Sequence, residues 1–144
     1  MNEVARKKRA LEYNRRVNAG DLDAIVELYA PDAVVEDPVG PEPVAGHDAV
    51  RAHYALLLSA RVREEAAEPV AGQDALHVLM QVTSVMDYLP VGALYAERGW
   101  LAVPGVPERA RVRRASMQLI RIDGSGLITS LKSYWGTSDL AVLG

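Results

Sequence analysis

Cysteine is absent from this 144-residue chain, which excludes disulfides and any chemistry run through a thiolate. Histidine is scarce: His47, His53 and His77 are scattered, without the spacing that gathers ligands round a metal ion. We therefore expect neither a metal nor any other cofactor. Excess charge is missing too, since 19 acidic against 16 basic residues leave a net charge of −3, too balanced for a nucleic-acid surface. Small or neutral partners are expected instead. No segment approaches the run of about 18 apolar residues that a membrane span needs. The basic ARKKR near the start is followed by LEYNRR, where a signal peptide would require an apolar stretch. A soluble cytoplasmic protein is the expectation, without internal repeats or low-complexity segments.

What the chain does have is 49% hydrophobic residues, enough at this length for one continuous core. We expect a single domain over residues 1–144. Residues 3–18 have helical spacing, with Ala10, Tyr13 and Val17 on one face and Glu12/Arg16 as an i,i+4 pair on another. Gly20 can end that helix and Asp21 can cap the next, on which Leu22, Ile25, Val26 and Tyr29 recur. Residues 47–59 predict a third helix with Val50, Tyr54, Leu57 and Leu58 on its apolar side. Strands are predicted over 33–37, 62–70, 75–87, 93–103, 109–123 and 126–136, separated by Gly, Pro and Asp turn chemistry. Helices first and then a largely antiparallel sheet make an α+β plan, and a strongly curved sheet would enclose a conical apolar pocket.

The stretch VVEDPVGPEP, residues 34–43, places Asp37 where a half-buried strand meets a rigid turn. Asp before Pro commonly does no more than open a turn. Here the surrounding residues suggest more. The segment NAGDLDAIVELYAPDAVVEDPVGPEPVAGHDAVRAHY and the C-terminal MQLIRIDGSGLITSLKSYW resemble the ketosteroid isomerases of the NTF2-like, SnoaL-like superfamily. That resemblance implies the superfamily's cone: three N-terminal helices packed on a strongly curved, mainly antiparallel sheet. It also implies Asp37 as general base, Tyr13 as oxyanion-hole tyrosine, and Tyr54 and Trp135 as pocket aromatics. The family's isomerases hold a second, protonated aspartate where this chain has Gln118, whose amide is a weaker donor.

REEAAEPVAGQDA and VMDYLPVGALYAERGWL extend a second resemblance nearly end to end, to the epoxide hydrolases/cyclases of polyether ionophore biosynthesis of the monensin and lasalocid type. It implies that a hydroxyl of a linear polyepoxide polyketide opens an epoxide of the same chain, closing a cyclic ether. Such opening needs a base for the attacking hydroxyl and an acid for the epoxide oxygen. Asp37 supplies the base. Adjacent strand residues face opposite ways, so either Glu64 or Glu65 can enter the pocket, and the resemblance selects Glu64. Half-protonation near neutrality requires its pKa to rise by roughly 2.5, about 3.4 kcal/mol, which burial beside a second carboxylate can supply. Met80, Met86, Met117, Leu131, Trp100 and Trp135 are candidate wall residues, and Gln118 a polar contact to substrate. The resemblance implies a homodimer, with a paralogous cyclase as a further candidate partner. Two other readings stay open: a ketosteroid isomerase-like proton-transfer enzyme, and a non-catalytic polyketide-binding accessory subunit of the same fold.

Overall fold

A computed structural model describes all residues from Met1 to Gly144. Helix α1 (Glu3–Ala19) starts where the Asn2 side chain accepts from the Ala5 N–H, and stops at Gly20, whose φ of 70° is open to glycine without strain. Helix α2 (Leu22–Glu27) is capped by Asp21, as its sequence predicts. It ends earlier than the periodicity suggests, and Tyr29 belongs instead to strand β1 (Tyr29–Glu36). The cause is Pro31, which disfavours helical backbone in the residue before it. A two-residue strand β2 (Val44–Ala45) pairs back on β1, and α3 (His47–Ser59) follows with the predicted bounds.

The expected strand over 62–70 divides into β3 (Arg63–Ala66) and β4 (Val70–Ala71), because Pro69 has no N–H to give to a ladder. Strand β5 (His77–Asp87) then runs unbroken. The strand expected over 93–103 does not exist. Residues Tyr88–Gly92 form a π-helical turn, Ala93–Glu97 form a short helix α4, and irregular chain follows, broken by one 3₁₀ turn at Pro107–Arg109, before the next strand. Tyr88, Val91, Gly92 and Tyr95 are the buried positions here, a helical spacing that the Leu and Ala content supports. Strands β6 (Arg111–Ile122) and β7 (Ile128–Tyr134) are long, and an unforeseen β8 (Leu140–Leu143) pairs with the start of β6.

The sheet order is β2-β1-β7-β6-β5-β3, antiparallel throughout except for the parallel β1–β7 pair, with β4 on β5 and β8 on β6. Alternation sorts the two faces. Val78, Met80, Val82, Ser84 and Met86 of β5 face inward with Val112, Arg114, Ser116, Gln118 and Ile120 of β6, under the buried faces of α1 and α3. Met117, predicted as a pocket wall, is 46% exposed on the outer face, because it alternates away from Gln118. No helix is long and apolar enough to cross a membrane.

Candidate active site

Strand β1 delivers Asp37 to the rim of the inner face, and the turn behind it is tied down by the Val39 N–H, which donates to the Ser133 carbonyl at 2.9 Å. Asp37 is buried among donors. Trp135 Nε1 donates to Oδ1 at 2.7 Å, Arg114 Nη2 donates to Oδ2 at 3.4 Å, and His53 Nε2 lies 3.2 Å from Oδ2. Burial pushes the carboxyl up, but the Arg114 charge, His53 and the Trp135 N–H together outweigh it and hold Asp37 below the ordinary carboxylate range. It is an anion at neutral pH.

Strand β3 carries the second carboxyl. Glu65 is exposed and Glu64 is 5% exposed, so alternation admits one of the pair to the interior and excludes the other. Its hydrogen-bond partners are neutral: Asn14 Nδ2 donates to Oε1 and Ser84 Oγ to Oε2, both at 3.3 Å. Asn18 fixes the backbone beneath, accepting from the Glu64 N–H at 2.7 Å and donating to its carbonyl at 2.8 Å. Burial pushes Glu64 up, the Arg114 charge pulls it down, and the Asp37 charge pushes it up again; the net direction is upward, toward the neutral acid.

Arg114 connects the two. Glu64 faces Ser84 across β3–β5, and Ser84 faces Arg114 across β5–β6, so three inward side chains form one row. The guanidinium is 1% exposed, donates from Nη1 to the Tyr95 hydroxyl at 2.9 Å, and stacks 5.1 Å from the Trp135 ring centre. A second chain of donors starts at Tyr29. Its hydroxyl lies 2.5 Å from that of Tyr54, which donates to Tyr13 at 2.9 Å, leaving the Tyr13 proton without a protein acceptor. Burial holds all three hydroxyls well above the usual tyrosine value, so they stay protonated.

An open chamber of about 240 Å³ reaches Asp37 and His53 between Leu57, Val91, Tyr95 and Trp100. Glu64, Tyr13, Tyr54, Met80, Gln118, Leu131 and Trp135 do not line it. They are buried away from it, on the inner sheet face or under the helices, and Trp135 packs on both Tyr95 and Arg114. The chamber that reaches Asp37 does not reach Glu64, so a single wide funnel exposing both carboxyls is not what the fold forms; Arg114, Tyr95 and Trp135 pack together beside Asp37 as an inner partition. Met86 is core. Trp100 sits at the chamber wall under the Arg98 guanidinium.

Sequence reasoning missed Arg114, His53, Tyr29 and Tyr95. Arg114 carried a legible signal, because in RVRRASMQLIRI it occupies the same alternating face as Val112, Ser116 and Gln118, where an arginine has to find a buried partner. Tyr29 was hidden by its assignment to a helix face, and Tyr95 by a strand that is a helix.

The SnoaL-like domain model matches residues 10–131. Among curated proteins, epoxide hydrolase LasB of Streptomyces lasalocidi is 39% identical over 144 residues, 99% of this chain; the chain spans about half that relative's length, 51%. Steroid Delta-isomerase of Nocardioides simplex is 28% identical over 138 residues, 94% of each protein. Among solved structures, SalBIII, described as an epoxide hydrolase/cyclase-like enzyme in pyran ring formation in the polyether salinomycin, superposes with a TM-score of 0.85 at 31% identity, covering 99% of this chain and 98% of its own. With the helix-over-curved-sheet layout and a domain model that spans most of its length, the chain belongs to the SnoaL-like family.

Proposed function

We propose that this chain is an epoxide hydrolase/cyclase of polyether biosynthesis, in which a hydroxyl of a linear polyketide opens an epoxide of the same molecule to form a cyclic ether. The observation that carries this reading is the buried carboxyl pair in unlike surroundings, Asp37 ion-paired to Arg114 and pushed toward the anion, Glu64 one row across on the same inner face and pushed toward the acid. The likeness to LasB and SalBIII supports the substrate class.

In the proposed reaction the hydroxyl oxygen attacks an epoxide carbon, a C–O bond forms, and the epoxide C–O bond breaks. The attacking proton passes to Asp37 and the Glu64 proton passes to the departing oxygen, so the product is an isomer of the substrate. Asp37 is a weak base, held low by Arg114. That suffices, because an oxygen already bonded to the new carbon is an oxonium that surrenders its proton to almost any acceptor. Across the step the negative charge moves from Asp37 to Glu64 while Arg114 stays in Coulomb contact with both, so the buried net charge is constant. Holding the two reacting groups together contributes at least as much as the proton transfers and selects the ring size. One proton lost from Asp37 and one regained by Glu64 restore the pair.

Tyr13, Tyr54, Met80, Gln118, Leu131 and Trp135 are the proposed substrate contacts, which requires the Tyr95–Arg114–Trp135 partition to yield when substrate enters. A homodimer through the outer sheet face is part of the proposal, supported by the exposed Leu79, Met117 and Tyr134 there, and light scattering of the purified chain tests it. A steroid isomerase reading has the relative from Nocardioides simplex in its favour, but leaves the buried Glu64 without a task. The deciding assay offers a bisepoxide bearing an internal hydroxyl. Cyclisation leaves the mass unchanged and hydrolysis adds a water. Asp37→Asn and Glu64→Gln should each slow closure by about 10²–10⁴-fold; wild-type rates in both variants would end the proposal.

A further inference from the structure

We propose that Gln118 and Ser133 form a second polar subsite, apart from the two carboxyls, that binds a hydroxyl group the reaction leaves intact. It rests on the reading above for the substrate's class and adds what sets that substrate's register. The two residues are direct partners across the β6–β7 ladder, on its inner face. Gln118 is 2% exposed and Ser133 0%, and neither Gln118 Oε1 nor Ser133 Oγ has a hydrogen-bond partner. Buried polar side chains in folded proteins are nearly always partnered, so two adjacent exceptions call for a ligand that answers them.

Their surroundings sharpen the point. Met80 is the partner of Gln118 on β5, and one step deeper the same face carries only Val78, Ile120 and Leu131. Nothing in that apolar end can satisfy either group. One step toward the rim, Ser116 donates to the Val82 carbonyl at 3.0 Å, so an inward serine of this sheet finds a partner where the fold supplies one. Ser133 does not, although its own carbonyl accepts from Val39 in the turn that holds Asp37. An oxygen bound by Ser133 is thereby placed at a fixed offset from the base.

The chemistry selects the group. One alcohol can donate its proton to Gln118 Oε1 while accepting from the Ser133 hydroxyl, so both are answered by a single oxygen. An ether accepts but cannot donate, a hydrocarbon does neither, and a charged group would meet no counter-charge in this tier. Sites built to bind a hydroxyl discriminate strongly against the analogue that lacks it, which makes this pair a determinant of which epoxide reaches Glu64.

The test uses unreactive polyene precursors, with alkenes in place of epoxides, carrying the nucleophilic hydroxyl alone or with a second hydroxyl at successive carbons. Calorimetric Kd values are compared for the wild type and for Gln118→Met with Ser133→Ala. One member of the series should bind the wild type at least about tenfold more tightly than the parent polyene, and the double variant should lose that gain. The free variant should also melt higher, because two unanswered polar groups have gone. The proposal is overturned if no member gains affinity, if the gain survives the double substitution, or if the variant melts lower with discrimination unchanged, which would make the pair a fold element satisfied by internal water. Should the double variant not fold, Ser133→Ala alone carries the comparison. Turnover of the matching epoxides is scored separately, so failure of ring opening sinks the proposed activity without touching the binding result.

Discussion

Asp37 and Glu64 bring the same functional group into the same interior, and their neighbours differ in kind. Asp37 is met by a guanidinium, an imidazole and an indole N–H, so the fold stabilises its charge. Glu64 is met by one amide and one hydroxyl at long range, and its precise placement comes from the backbone clamp by Asn18. The difference teaches that burial pushes both carboxyls toward the neutral acid and that the neighbouring charges and donors decide whether the push prevails: they overturn it at Asp37 and do not at Glu64. It also makes the two carboxyls unequal members of the fold: one is half of an ion pair and the other is a guest.

The largest effect should follow from breaking the ion pair. Asp37→Asn leaves Arg114 buried without its counter-charge, and we expect a loss of about 3–5 kcal/mol in urea unfolding together with the loss of activity. Glu64→Gln should slow ring closure to a similar degree yet leave stability at pH 7 equal or higher, because it removes a charge that burial disfavours. Equal destabilisation by both variants would erase the distinction drawn above.

A finer test is the pH dependence of stability. The raised value of Glu64 means the folded state binds its proton more tightly than the unfolded chain, whose glutamates titrate near 4.3. Its contribution is therefore complete below about pH 4.3 and is lost as pH rises through the folded value. Thermal melts should show Glu64→Gln gaining on the wild type across that window. Asp37 has the opposite sign: its lowered value gives stability that is present above about pH 3.9 and lost as pH falls through the folded value.

Arg114→Met should raise the apparent values of both carboxyls, since the guanidinium pulls both down, and should move the whole pH–rate profile toward alkaline pH. A profile that keeps its position would mean Arg114 serves packing alone. The smallest effect is expected from Tyr95→Phe, which removes one hydrogen bond to Arg114 and should cost about 1 kcal/mol by chemical denaturation.

Much of this arrangement was legible in the chain itself. The helical faces of α1 and α3 and the alternation of β5, β6 and β7 follow from period, because burial imposes period directly; period says only that one of Glu64 and Glu65 turns inward, and the family resemblance is what selects Glu64. The segment from 88 to 110 was not legible, since a short apolar run with Tyr, Leu and Trp satisfies strand and helix patterns equally well. The partition it forms with Arg114 depends on that segment's tertiary path, which no local pattern encodes. Arg114 itself was readable as an oddity in the alternation, but its partners lie 77 residues away at Asp37 and 19 away at Tyr95, a pairing that only the folded sheet brings about.

The clamp by Asn18 reaches beyond positioning. At the rim of a sheet, free peptide groups invite a foreign strand to dock and propagate. On β3, the last strand in the order, one carboxamide from a helix end already occupies the N–H and carbonyl of Glu64, in the way an intruding peptide unit would. The residue that fixes the acid's backbone thus also seals this margin of the sheet against strand addition and aggregation.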